Sequence, residues 1–257
     1  MKQAGAITMR LYELLCSRAA MRTIADIRIG STYIAVCLDD GCLGLSAVPI
    51  GNVPLRIEAI SLVGACASSI LAWLNDKGDP QHKAVALATA NALIRQERSD
   101  AGGDALDLIK LTSTDRVLMV GRFSPMIERI TATGASLIIL EKDAAKGLVL
   151  MGRERRDILQ SATVCLITAT ALLYDSLEEI LNDLCVPRHV TVMGPSTPML
   201  AELFADTPVH HLGGVRMIDA DKIPPIVAAG GGTRAMRPYV EMTNLFIKRD
   251  SVDARVK

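Results

Sequence analysis

Two short stretches combine the residue types that suit an anion-binding turn. "VLMVGRFSPMIERI" (117–130) and "VTVMGPSTPMLAEL" (190–203) share one plan: apolar strand, glycine, two residues, a hydroxyl residue, proline, methionine, then a helical run. Gly121 and Gly194 permit a tight exit or a close backbone approach. Ser124 and Thr197 suit a helix N-cap, and Pro125 and Pro198 suit the first helical position, where no amide hydrogen is required. Either stretch alone also fits a well-capped turn that binds nothing. Together, as neighbours at the switch point of a sheet ordered 3-2-1-4-5, they would aim two helix N-termini at one crevice. Free amides and a partial positive charge would then receive phosphate, carboxylate or another anion. Arg122, Phe123, Pro195 and Ser196 fill the intervening positions, and Arg122 is the only cation in the two turns.

Further polar residues belong to the same edge. Glu141 stands twenty residues after Gly121, where dinucleotide-binding folds place a ribose-binding acid. A solvated glutamate at a strand end is the plainer reading. The usual GxGxxG is absent: Gly-Arg-Phe-Ser-Pro puts Arg122 and Phe123 where a pyrophosphate needs room. Thr168, Thr170, Tyr174 and Ser176 collect after the third apolar run, with a helix cap at Asp175 or Ser176 as the alternative. Asn91 shares a helical face with Leu87 and Ile94, so its amide needs a partner in the core or at the crevice. His210 and His211 adjoin in a strand, point to opposite faces and read as structural. The triple glycine 230–232 reads as a close-approach loop or a flexible turn. No HExxH, GxSxG or Ser-His-Asp signature occurs, so no general base, metal ligand or cofactor is named.

The elements that must position these residues fall into two rhythms. In the first hundred residues Leu11, Leu14, Leu15 and Ala19 follow helical spacing, a segment that Gly30 ends. "TYIAVCL" and "CLGLSAV" flank Asp39-Asp40-Gly41 as a hairpin. Two helices follow, in "RIEAISLVGACASSILAWL" and "HKAVALATANALIRQ". From Asp115 on, strands at 116–120, 136–140, 163–167, 189–193 and 209–213 alternate with helices starting near Pro125, Glu154, Tyr174 and Pro198. Runs apolar on both faces and joined by helices require a mainly parallel sheet covered on both sides. The fold class is therefore α/β: a small α+β domain, 1–104, ahead of a Rossmann-like domain, 105–257. The polar, glycine-paired segment 98–107 is the linker.

Composition excludes several classes of function. The chain of 257 residues carries 28 basic and 28 acidic side chains, ten of each falling before residue 105. Without a basic half, and with three Phe and one Trp, it offers nucleic acid neither a charged track nor stacking platforms. Six cysteines without CxxC spacing read as reduced thiols of a cytoplasmic protein. The N-terminus lacks a signal-peptide core, and "VCLITATALLY" is about half the ~20 residues a membrane helix needs. A soluble, cytoplasmic protein without a membrane partner is expected, and self-association stays open.

"VGRFSPMIERI", "ILEKD", "LQSATVCLITATALLYDSLEEIL", "VMGPSTPM" and "HLGGVRMIDADKI", in this order, resemble the putative heavy-metal chelation domain family. "IGSTYIAVCLDDGCLGLSAVP" and "ALATANALI" resemble the smaller domain found ahead of it. The resemblance implies an enolase N-terminal-like domain followed by a Rossmann-like one, with a site between them. It further implies heavy-metal chelation, or condensation or hydrolysis on pterin-, flavin- or siderophore-like molecules. By position, the site loops would be Gly121 to Ser124, Glu141, Thr168 to Ser176, Gly194 to Thr197, and Asn91. Tyr174-Asp175-Ser176 stands where the family usually has Asn-x-Thr, which changes the pocket wall. The leading expectation is a protein that binds an anionic small molecule or metal chelate between its two domains, with catalysis left open. A non-catalytic carrier or regulator is the alternative, as is a methyltransferase-like enzyme with Glu141 on a ribose.

Overall fold

The computed structural model describes residues 5–49, 57–76, 78–94 and 99–248. Arg56, Arg95 and Gln96 of the expected helices, and residue 98 of the expected linker, lie outside them. The first unit opens with helix α1 (Ala6–Ala19) and an antiparallel sheet of β1 (Ile24–Ile29), β2 (Tyr33–Leu38) and β3 (Leu43–Ala47). The hairpin around Asp39-Asp40-Gly41 forms as read, with Tyr33 opposite Ala47 and Cys37 opposite Leu43. β1 corrects the reading of one helical segment up to Gly30. Ile27 and Ile29, separated by polar Arg28 and preceded by Asp26, carry the period of two that marks a strand.

The long helix expected up to Leu74 is broken into α2 (Ala59–Leu62) and α3 (Ala67–Leu71). Gly64 takes φ +83°, its amide donates to Ile24 O at 2.8 Å, and the Ile24 amide donates to Ala65 O at 2.9 Å. Pairing with the start of β1 thus replaces helical bonds there. α4 (Pro80–Leu93) begins as its sequence dictates: Asp79 accepts from the amides of Gln81 and His82, and Pro80 takes the first turn. It is buried on nearly every side, as a helix rich in alanine permits. Gly44 of β3 touches its backbone, since a Cβ there would lie 2.2 Å from Ala88 O.

The second unit is a seven-stranded sheet. Its strands are β4 (Ala101–Gly102), β5 (Arg116–Val120), β6 (Ser136–Leu140), β7 (Val164–Thr168), β8 (His189–Met193), β9 (His211–Met217) and β10 (Val240–Phe246), in the order β4-β10-β9-β8-β7-β5-β6. β5 to β9 run parallel, while β10 and β4 add antiparallel edges. Residues 101–102 of the expected linker therefore belong to this sheet. Helices α5 (Ser124–Thr131), α6 (Gly152–Ser161) and α7 (Ser176–Asp183) follow β5, β6 and β7, and the short α8 (Ile223–Ala228) and α9 (Thr233–Met236) lie between β9 and β10.

Alternation along the parallel strands divides the core. Val117, Met119, Val164 and Leu166 pack with Met126 and Ile130 of α5. Leu118, Cys165, Ile167, Val190 and Val192 pack on the other side with Leu159, Leu177 and Ile180, in one continuous core with α1, α3, α4 and the small sheet. The two units thus share a hydrophobic interior, with α4 at its centre. No described helix is long and apolar enough to cross a membrane.

Two sequence expectations fail here. No helix begins at Pro198; residues 197–200 are irregular and only a single 3-10 turn, Ala201–Phe204, follows. The parallel strands also run 2-1-3-4-5 rather than 3-2-1-4-5, so β7 separates β5 from β8. The chain reverses direction across the sheet between β5 and β7, and ligands of such sheets bind at that point.

Candidate functional site

At that switch point Gly121 and Thr168 touch. A Cβ on Gly121 would lie 2.7 Å from Thr168 Cγ2, and its φ of +85° also demands glycine. The close approach leaves room above the strand ends for a cavity of about 460 Å³. Gly121, Arg122, Phe123, Glu141, Thr168, Thr170, Tyr174 and Ser176 all line it. The loops after β5, β6 and β7 therefore converge here, whereas the loop after β8, expected to meet the one after β5, does not line this cavity. Residues 120–180 supply the whole lining, so this cavity lies within the second unit rather than between the units.

The chemistry of this edge differs from a bare anion hole. Glu141 Oε1 accepts from the Arg122 amide at 2.7 Å, and Oε2 from the Lys142 amide at 3.1 Å. The Phe123 amide points to Met119 Sδ, and the Gly121 amide to Leu140 O. A carboxylate from the protein thus occupies the turn that was expected to hold an external anion. Ser124 is the first residue of α5 rather than its cap, and its hydroxyl accepts from Arg122 Nε at 3.2 Å. Arg122 is exposed and also donates to Lys146 O.

Lys142, which sequence reasoning passed over, supplies the cation instead. Its Nζ stands 3.0 Å from the centroid of the Tyr174 ring. Burial pushes its pKa down, with Glu141 opposing. Among the described residues no carboxylate lies within ion-pair distance of it. Arg155 lines the wall as well, already paired with Glu179 and Asp183. The remaining surface is apolar: Leu148, Val149, Leu150 and Met151 form a rim in which Met151 is 83% exposed. The run "GLVLM" and the lysine after Glu141 were the signals available for these residues.

The second turn serves another place. Gly194 has φ +117° with open space beside it, so glycine is needed there for backbone conformation alone. Asn91 Nδ2 donates to Leu45 O at 2.8 Å and to Ser196 O at 3.0 Å, and Ser196 Oγ accepts from the Ala47 amide at 2.8 Å. These bonds tie α4, the edge of β3 and the loop after β8 into one seam. Asn91, Pro195 and Thr197 line a smaller cavity of about 260 Å³ between the units. Thr197 caps nothing: it is 4% exposed, and its hydroxyl, like Asn91 Oδ1, has no hydrogen-bond partner among the described residues. The expected single site is thus two places, and Asn91 with 194–197 is separate from the larger one.

His189, His210 and His211 lie at the opposite end of the sheet, at the starts of β8 and β9. His211 meets Thr191 and Asn244, and His210 Nδ1 accepts from the Val190 amide. His189 stacks on His210 with centroids 5.7 Å apart. Among the described residues no three His, Cys, Asp or Glu side chains are arranged to hold a metal ion. Among the described residues Glu141 is the one carboxylate that lines the larger cavity, and both its oxygens are engaged. That donor set does not fit a bare metal ion, whereas a metal already wrapped by an organic chelator needs no protein ligand.

Two family models, both described as putative heavy-metal chelation, match residues 12–94 and 104–246. Among solved structures, the chain resembles a protein of unknown function from Pyrococcus horikoshii, at 15% identity and a TM-score of 0.81, covering 94% of this chain and 100% of that one. It also resembles a protein of unknown function from Desulfitobacterium hafniense, at 16% identity and a TM-score of 0.77, covering 93% and 98%. Both belong to the family matched by 104–246. At these identities the likeness speaks to the fold. Comparison with curated proteins gives no match.

Proposed function

The chain belongs to the putative heavy-metal chelation family, and we propose that it binds an anionic, partly apolar small molecule or its metal chelate in the cavity at the β5–β7 switch point. The observation that carries this reading is Lys142, an exposed lysine whose ammonium is held over the Tyr174 ring and pairs with no carboxylate among the described residues, facing a largely apolar wall. A cation set against an apolar wall gains a charge-assisted contact from a ligand that brings the opposite charge and covers it from water. The apolar rim at 148–151 suits the flat body of a pterin-, flavin- or siderophore-like molecule, and the cavity volume falls in the usual range for such sites.

In this reading the metal is cargo. The organic ligand coordinates it, while Lys142, Arg122 and the hydroxyls of Thr168, Thr170 and Ser176 recognise the ligand's anionic and polar edge. Binding and carriage are the roles these groups support, since no residue is placed as a general base. Native mass spectrometry with elemental analysis of the purified protein tests the proposal. A retained organic mass, with or without metal, is expected; metal retained without an organic component would overturn it.

A further inference from the structure

We infer that Lys83, on the central helix of the first unit, is a positioning residue that sets the wall of the cavity in the second. This rests on the cavity being the ligand site. Lys83 is 2% exposed, and its ammonium contacts both carboxylate oxygens of Asp175. Asp175 has φ 52° and ψ 21°, and it is the only described non-glycine residue with positive φ. Its neighbours on either side, Tyr174 and Ser176, both line the cavity.

The physical link is short. The left-handed region is uncommon for any residue but glycine, aspartate being among the few that adopt it, and here the ion pair holds the residue in place. A buried ion pair is weak evidence for net stability but strongly specifies geometry, because either charge without the other is heavily penalised. Here the pair joins α4 to the junction between the 3-10 turn Ala169–Tyr174 and α7. That junction turns the chain so that Tyr174 offers its ring to Lys142 while the Ser176 hydroxyl donates to Ala171 O at 3.2 Å. Glu178 sits one turn further along α7, with Oε1 accepting from the Ile7 amide at 2.7 Å at the start of α1. Thus two carboxylates after β7, Asp175 and Glu178, are held by groups of the first unit. No described residue of that unit lines the cavity, and Lys83 is the side chain of that unit that reaches the residue between Tyr174 and Ser176.

The test uses full-length protein without ligand, so that it is independent of what the cavity binds. The Tyr174 ring should displace the Lys142 ε-CH₂ resonance upfield, and Lys142→Arg assigns that signal. In Lys83→Met the signal should move towards the free-lysine position, while resonances around Asp115 and Arg188 stay put. Binding of an iron(III)–2,3-dihydroxybenzoate chelate should weaken at least tenfold alongside it. The double variant Lys83→Met/Asp175→Gly removes both charges and lets glycine adopt the left-handed turn freely; it should recover the wild-type Lys142 signal. A folded Lys83→Met with an unmoved Lys142 signal would overturn the inference, as would a folded double variant that fails to recover it. Failure of both variants to fold would count against it too, marking the pair as part of the fold rather than a positioning device. If the ring-current result holds but wild type ignores the chelate, the positioning role stands and the proposed ligand falls.

Discussion

Glu141 Oε1 accepts a hydrogen bond from the Arg122 amide at 2.7 Å, closing with a protein carboxylate the turn that would otherwise cradle a phosphate. Inorganic phosphate should therefore give wild type no thermal shift. Glu141→Ala should lose about 1 kcal/mol of stability through the broken loop bonds and gain a phosphate-dependent shift as the amides become free. A phosphate shift in wild type that Glu141→Ala abolishes would reverse this assignment.

The two glycines of the repeated turn should behave differently. Gly121→Ala brings a methyl group against Thr168 in a left-handed backbone, so stability and ligand binding should both fall. Gly194→Ala meets open space and strains only the backbone, costing about 1–3 kcal/mol with binding retained. Denaturation midpoints and binding measured side by side decide between them. Loss of binding in Gly194→Ala at unchanged stability would mean that the loop after β8 does reach the ligand.

At the seam between the units, Thr197→Val replaces a buried, unpartnered hydroxyl with a methyl group and should stabilise the protein by about 1 kcal/mol. Asn91→Ala removes the bonds to Leu45 O and Ser196 O and should cost about 2 kcal/mol. Urea titrations of both variants give the values. A Thr197→Val variant destabilised by more than 1 kcal/mol would reveal a partner for the hydroxyl.

These assignments also show what was legible in the residues. Val117–Val120 and Val190–Met193 are apolar on both faces, so the parallel sheet could be read directly. Gly121 and Pro125 marked a real turn into a real helix. Thr197 and Pro198 carry the same signature, yet the loop there bonds to Asn91 and Ala47 instead of starting a helix; tertiary partners outcompeted a local cap. Strand order decides which loops meet, and order is set by long-range packing that no local pattern reports. Lys83 shows the same limit: nothing in "HKAVALATANAL" says that this lysine is buried or that its partner is Asp175, 92 residues away.

The imidazoles at the starts of β8 and β9 predict the pH profile. Burial, with His211, His210 and Arg188 nearby, pulls the His189 pKa from 6.5 to about 4, and burial lowers that of His211. The unfolded chain then takes up protons first as pH falls, so stability is complete above about 6.5 and drains away towards about 4. The loss attributable to His189 should be about 2 kcal/mol over that window. His189→Asn should flatten the profile between pH 7.5 and 4.5 in urea titrations, and an unchanged slope would remove His189 from the account. Asp115, held well below the usual carboxylate range by Arg188 and the threonines at 112 and 163, contributes at still lower pH.

The central claim, that Lys142 and the cavity around it receive an anionic chelator, is tested most directly by calorimetric titration. Wild type and Lys142→Gln are titrated with iron(III)–2,3-dihydroxybenzoate, with free 2,3-dihydroxybenzoate and with iron(III) citrate, at pH 7 and pH 9.5. Wild type should bind the aromatic chelate at one site, about tenfold more tightly than Lys142→Gln, as expected for one lost charge-assisted contact. Affinity should fall as pH rises through the range in which Lys142 loses its charge, a range that desolvation moves below the ordinary lysine value. No saturable binding to any of the three, or equal affinity in Lys142→Gln, would contradict the account.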